Sequence, residues 1–208
     1  MLPFLPTPRL LLRPATTADL DPLWQLWTDP DVRRYLWDDR TIDRDEAVTT
    51  LESLVVMGER GLGLWVVEPR PVTGEEEVGG VRLEAALAPA GTLLGCAGLY
   101  PTSTTAEYEP AFAGMLEPLV AVAPEWWHRG LAVETLSAVV AYAFQALGVN
   151  ALAGATDVPN DASDRMLRRV GFVPFSEGNG PRYRMRNYRL ERAAWAAGPP
   201  VAMPPPVP

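Results

Sequence analysis

An apolar run from Leu116 to Ala123 is cut by Pro124, passes through the short loop Glu125-Trp-Trp-His-Arg-Gly130, and enters a long helical repeat. From Leu131 to Leu147, the residues Ala132, Leu136, Val139, Val140, Ala143, Phe144 and Leu147 recur at three- and four-residue spacing, and Gly148 supplies the stop. A run that is apolar on both alternating faces belongs in the middle of a sheet covered by helices. The segment therefore demands a buried strand feeding directly into a packed helix. Such a helix start leaves four main-chain donors unpaired at its positive end, worth roughly 0.3–1 kcal/mol to a nearby exposed anion. Gly130 and Ala132 lack bulk there and Arg129 can add a charge-assisted contact, so the turn reads either as a phosphate or pyrophosphate site or as ordinary packing.

The rest of the chain alternates between the two periodicities. Arg9–Pro14 reads as a strand, and Thr17 opens a helix carrying Leu20, Leu23, Trp24 and Trp27 on one face. A second helix follows Pro30, and a third spans about Asp43 to Arg60 behind an acidic first turn. Strands are expected at Leu64–Glu68, Thr92–Leu99, Leu116–Ala123, near Val149–Ala155, and at Gly171–Ser176 and Tyr183–Leu190, with a helix from Asn160 to Arg169 before the last two. The fold class is α/β, a mixed sheet with helices. Segment 70–91, rich in Pro, Gly and Glu, reads as an insertion or extended hairpin, and 196–208 as a disordered, proline-rich tail.

Composition limits the function classes. The 208 residues suit one domain, the cationic residues are all arginine, and the net charge of −8 is a poor match to nucleic-acid binding, which rests on a basic face. One cysteine, Cys96, and one histidine, His128, exclude a clustered Cys/His zinc site, and no metal is expected. The opening MLPFLPTPRLLLRP has no charged leader and is broken by prolines, so neither a signal peptide nor a membrane span is expected, and a reducing cytoplasm fits. The charge is also uneven: residues 1–120 hold 19 acids against 9 arginines, and residues 121–208 hold 7 acids against 9 arginines. An anionic ligand belongs with the second half; an acidic first half suits a cationic amine or serves solubility alone.

Three separately spaced strings carry a resemblance: Trp127-His-Arg-Gly130-Leu-Ala132-Val-Glu134, Asn160-Asp-Ala-Ser163, and Val170-Gly171-Phe172. They resemble the GNAT superfamily of acyl-CoA N-acyltransferases, and within it the ribosomal-protein (Rim-type) branch. Thr7-Pro-Arg9, Ala18-Asp19, Asp29-Pro30 and Tyr188-Arg-Leu190 resemble the same branch, so the likeness spans a single acetyltransferase-like domain over 7–195, apart from the insertion. The resemblance implies a largely antiparallel sheet with one parallel pair splayed at the cofactor and helices on both faces. It implies acetyl-CoA as co-substrate, with pyrophosphate on the amides around Trp127, His128, Arg129, Gly130, Leu131 and Ala132, pantetheine along the strand near Val122, and Asn160 and Ser163 near the thioester.

Acyl transfer to nitrogen needs a neutral amine, and at a lysine-like pKa of about 10.4 only about one molecule in 2,500 is neutral at pH 7. An α-amine, with a pKa of about 7.7–8.0, needs far less help. Glu117 matches the acidic position of the branch's glutamate-isoleucine-glycine-tyrosine string. It reads as a base acting through water or as a solvated strand-end carboxylate, and the string departs from the family at Pro118, Leu119 and Val120. Many superfamily members place a proton-donating tyrosine where this chain has Leu167, which leaves Ser163 either as the donor near the leaving thiolate or as a first-turn residue bonding local backbone. Cys96 reads as a small buried hydrophobe, so direct attack by the amine is expected rather than an acyl-cysteine. Trp24, Trp27, Tyr35 and Trp37 fall in the region that lines the acceptor side in the superfamily, most of them as core and one or two facing substrate.

The expected activity is N-acetylation of a primary amine, a protein N-terminus or a small molecule, by a monomer or homodimer that binds neither nucleic acid nor membrane. The alternative is a non-catalytic acyl-CoA-binding sensor or regulatory module, suggested by the missing tyrosine. A P-loop or Rossmann nucleotide enzyme is disfavoured, because no Gly-rich fingerprint follows a strand and the chain has no lysine.

Overall fold

The computed structural model describes residues 1–71 and 87–197, together with the backbone of 76–78 and 81–83. In chain order the elements are β1 (Leu5–Pro6), β2 (Leu10–Pro14), α1 (Leu20–Thr28), α2 (Pro30–Leu36), α3 (Arg44–Gly58), β3 (Gly63–Pro69), β4 (Glu76–Val78), β5 (Val81–Leu83) and β6 (Gly95–Pro101). There follow α4 (Thr105–Tyr108), β7 (Leu116–Val122), α5 (Leu131–Gln145), β8 (Ala151–Asp157), α6 (Asp161–Val170), β9 (Val173–Asn179), β10 (Arg184–Glu191) and α7 (Arg192–Ala197).

Eight strands form one sheet in the order β1-β2-β3-β6-β7-β8-β10-β9, antiparallel throughout except for the parallel pair β7–β8. Strand alternation divides the molecule into two cores. Trp65, Val67, Ala97, Leu99 and Leu152 turn to α5 and α6, where Leu136, Val140, Phe144 and Phe172 meet them. Val66, Cys96 and Ala121 turn the other way, onto Leu23, Trp27, Ala47 and Leu51 of α1 and α3. Both faces are covered, as the apolar runs at β3, β6 and β7 require.

The helix boundaries follow local chemistry. Asp29 caps α2 by accepting from the Asp31 and Val32 amides, with Pro30 in the first turn; Asp43 caps α3 through the Glu46 amide. Gly171 closes α6 at φ +106°, a conformation that strains any residue with a Cβ.

The sequence expectations differ from the structure in bounded ways. The strand expected near Val149–Ala155 runs Ala151–Asp157, and the one expected at Gly171–Ser176 runs Val173–Asn179, because the turns ahead of them consume two residues. The short helix α4 has no apolar periodicity to announce it. Residues ahead of Thr7 also pack on the sheet: Leu2 is buried in the α5 core, and Trp65 Nε1 donates to Pro3 O at 2.8 Å. Within 70–91, β4 and β5 pair as an antiparallel hairpin, while 72–75, 79–80 and 84–86 lie outside the described residues. Helix α7 reaches Ala197, two residues into the expected tail, of which 198–208 lie outside the described residues.

Candidate active site

The parallel pair β7–β8 is matched at one position, Leu116 opposite Leu152, after which the strands part. The wedge opens toward their C-terminal ends, where α5 and α6 begin. Beside the parting point the Ala155 amide donates to the Glu117 carboxylate, which also accepts from the Thr105 hydroxyl of α4. Pro118, which lacks an N–H, stands just beyond the matched position, where the ladder to β8 has already ended, so this departure from the family string is tolerated. Tyr100, opposite Glu117 on β6, lies flat over Gly98, whose missing Cβ leaves room for the ring.

At the wide end of the wedge the loop after β7 makes a 3-10 turn, Pro124–Trp126, and Trp127 Nε1 donates to Val122 O at 2.6 Å. That carbonyl is thus already engaged on the strand beside which pantetheine is expected. His128 at φ 61° and Gly130 at φ 74° are both left-handed, an arrangement that turns successive amides inward as a nest. Every main-chain amide from His128 to Val133 lacks an acceptor among the described residues, and Glu134 N is the first to be paired, with Gly130 O at 3.2 Å. A left-handed non-glycine residue costs about 1–2 kcal/mol, so the conformation at His128 needs outside support.

The support comes from β2's approach. Arg9 Nη1 donates to Arg129 O at 3.0 Å and Arg9 Nε to Glu134 Oε2 at 2.7 Å, while Thr7 Oγ1 and the Arg9 amide hold Glu134 Oε1 at 2.6 and 2.9 Å. The Arg129 guanidinium stacks 4.7 Å from the Trp126 ring centre, and the side chains of Trp127, His128 and Arg129 are exposed. Leu131 is buried and faces the core, Ala132 is half-buried at the helix start, and Val122 is buried.

At the head of α6, Asn160 Oδ1 accepts from the Ser163 amide at 3.2 Å, which makes Asn160 the helix cap. The Ser163 hydroxyl is half-buried and has no partner among the described residues, so it does not bond local backbone. Leu167 is buried against Gly154 of β8. Among the aromatics, Trp27 is core and meets Trp37 edge-on at 5.9 Å, Trp24 Nε1 donates to Ile42 O, and Tyr35 Oη donates to Pro159 O at 3.2 Å, laying α2 across the end of β8.

Burial sets the electrostatics. Desolvation pushes the Glu117 carboxyl above its ordinary range despite the bonds from Thr105 and Ala155, which oppose it. The Cys96 thiol, fully buried behind Trp27, is pushed up to about 12. Asp157 is raised by burial and by nearby Asp38, with Arg182 opposing. Neither Thr105 nor Asp157 stands out in the sequence, since a threonine opening the four-residue α4 and an aspartate before Val-Pro-Asn carry no periodic signal. No group of three or more His, Cys, Asp or Glu among the described residues could hold a metal, and no described helix is long and apolar enough to cross a membrane.

A family model described as "Acetyltransferase (GNAT) domain" matches residues 9–173. The chain belongs to the GNAT acetyltransferases. A relative, the "Uncharacterized N-acetyltransferase YoaA" of Bacillus subtilis (strain 168), is 27% identical over 175 residues, covering 83% of this chain and 84% of that one. A putative GNAT-family acetyltransferase from Bordetella pertussis superposes with a TM-score of 0.69 at 23% identity over 90% of this chain and 98% of its own. YncA of Salmonella typhimurium, a putative acetyltransferase solved with its cofactor acetyl-CoA, has a TM-score of 0.62 at 19% identity, covering 88% and 94%. The GNAT architecture expected from the motifs, a mixed sheet with one parallel pair and helices on both faces, is the fold observed.

Proposed function

We propose that this chain transfers an acetyl group from acetyl-CoA to a primary amine by direct attack. The observation that carries the reading is the run of amides from His128 to Val133 that are unpaired among the described residues, set at the mouth of the parallel strand pair β7–β8. A pyrophosphate supplies the acceptors those amides lack, and Arg129 and the positive end of α5 add charge. Acetyl-CoA bound there supplies an acyl group already activated as a thioester.

The chain's own residues do the rest. Gly130 and Ala132 leave the main chain approachable, Val122 and its neighbours line the strand edge, and Asn160 fixes the first turn of α6 so that Ser163 Oγ can hydrogen-bond a developing thiolate. Glu117 takes the proton lost as the amine nitrogen bonds the acyl carbon and the carbon–sulfur bond breaks; the departing sulfur is protonated from solvent. A raised carboxyl pKa makes Glu117 a stronger base than an exposed glutamate. Kinship with the Rim-type branch rests on the Trp127–Glu134 and Asn160–Ser163 strings and would make a protein N-terminus or small amine the acceptor. The working unit is residues 7–195.

Calorimetry with acetyl-CoA, followed by thiol release across an amine panel, tests the reading. Binding with turnover supports it; no binding at millimolar acetyl-CoA overturns it. Binding with no turnover on any amine would favour the sensor reading, which the buried Leu167 at the usual donor position supports.

A further inference from the structure

Asp157 closes β8 at 8% exposure, and its carboxylate has neither a hydrogen-bond donor nor an ion-pair partner among the described residues. The residue is buried, yet its carboxylate oxygens are not among the solvent-excluded polar atoms, so the unpartnered end of the side chain remains reachable from outside.

Strand alternation sets its direction. Leu152 and Gly154 turn to the α6 face, where Gly154 backs onto Leu167 and Phe172. Ala155 and Asp157 therefore line the opposite face, the one that carries Glu117. The Ala155 amide holds the Glu117 carboxylate, and Asp157 stands two residues further along, about 7 Å toward the open end at the usual strand rise.

Three elements close around this end. Tyr35 of α2 is bonded to Pro159, and Arg182 reaches from the β9–β10 turn to Asp39 Oδ2 at 3.2 Å and Arg34 O at 3.4 Å. Asp39 also takes Arg33 at 2.8 Å, so the direct ion pairs of Arg33 and Arg182 go to Asp39, and Arg182 reaches Asp157 only through space. Asp38, in the left-handed region at φ 52°, forms no ion pair among the described residues and couples to Asp157 through space. The mouth thus presents two carboxylates with no hydrogen bond or ion pair among the described residues, Asp157 being offset only in part, through space, by Arg182.

We propose that Asp157 receives a second positive charge on the acceptor, so that the preferred acceptor is a small amine whose second cation lies roughly 7 Å from the reacting nitrogen, the span of an extended four-carbon diamine. The assignment rests on the acetyltransferase reading above and names its substrate class. Glu117 serves the reacting nitrogen and Asp157 the distal one.

The test compares thiol release by the full chain and its Asp157→Asn variant on 1,4-diaminobutane, butylamine and 4-aminobutanoate, with acetyl-CoA affinity measured separately by calorimetry. The full chain should favour the diamine over butylamine by roughly tenfold or more in kcat/KM, as expected for a hydrogen bond to a charged group, and disfavour 4-aminobutanoate. In Asp157→Asn the diamine-to-butylamine ratio should fall toward one through the diamine KM, with acetyl-CoA affinity retained. The variant should melt no lower than the parent, since Asp157 makes no hydrogen bond or ion pair among the described residues that the amide would lose; replacing an aspartate needed only for structure would lower the melting temperature and depress all amines alike. A ratio unchanged by the substitution, or no diamine preference in the parent, overturns the assignment while leaving the acetyltransferase reading intact. Failure to bind acetyl-CoA or to turn over any amine overturns both.

Discussion

Arg9 and Glu134 stand 125 residues apart in the chain and meet at 2.7 Å, joining the start of β2 to the first turn of α5. The Glu134 side chain is 3% exposed, and the same arginine holds the Arg129 carbonyl, so one ion pair fixes both ends of the amide-rich turn. Breaking a buried pair strands the remaining charge, which costs about 3–5 kcal/mol. Arg9→Ala should therefore lose about that much stability in urea and weaken acetyl-CoA by at least about tenfold as the turn loosens. The double variant Arg9→Met/Glu134→Met should recover most of the stability and little of the affinity, a split that urea titration and calorimetry read separately.

Gly130 sits at φ 74° directly before α5, so a side chain there carries a backbone penalty of about 1–2 kcal/mol and also fills the space over the amides. Gly130→Val should raise the acetyl-CoA dissociation constant far more than it lowers turnover at saturating cofactor. Equal losses in both would contradict a role confined to binding.

How much of this was legible in the sequence differs from element to element. The 3.6-residue repeat from Leu131 and the two-faced apolar run of β7 place the strand–turn–helix unit to within two residues, because burial acts on near neighbours and leaves a periodic trace. The Arg9–Glu134 pair, the Thr105 bond to Glu117 and the unpaired carboxylate of Asp157 leave no such trace. They arise when strands distant in sequence become neighbours in the sheet, and no local period records that. The displaced strand starts at Ala151 and Val173 have a simpler origin: the turns ahead of them hold Val149 and Phe172, which have good strand propensity and blur the boundary.

Glu117 titrates above the ordinary carboxylate range because burial disfavours its charge. As the base it must be ionised, so kcat/KM for an amine should fall as pH drops through that raised value, at a higher pH than an exposed glutamate would give. Glu117→Gln should remove this limb and lower kcat by roughly 10²–10⁴-fold with little change in acetyl-CoA affinity. Stability should move in the opposite sense. A raised folded-state pKa contributes stability that is fully present below the unfolded value of 4.5 and is lost as pH rises through the folded one. Urea midpoints of parent minus Glu117→Gln should therefore decline from acid toward neutral pH.

Cys96 has a thiol pushed up to about 12 and no exposure, so it should resist alkylation at pH 8 in the folded protein and react once urea exposes it. Mass spectrometry after iodoacetamide treatment reads this directly. Rapid labelling of the folded chain would contradict the packing of the α1 face.

The amides from His128 to Val133 can be followed one by one in a 15N–1H correlation spectrum of the full chain titrated with acetyl-CoA. Saturable shifts concentrated at these residues, and at Glu117 and Ser163 beside the wedge, are the expected result. Unmoved amides at millimolar acetyl-CoA, or shifts confined to α3 on the opposite face of the sheet, would contradict the assignment of this turn as the cofactor site.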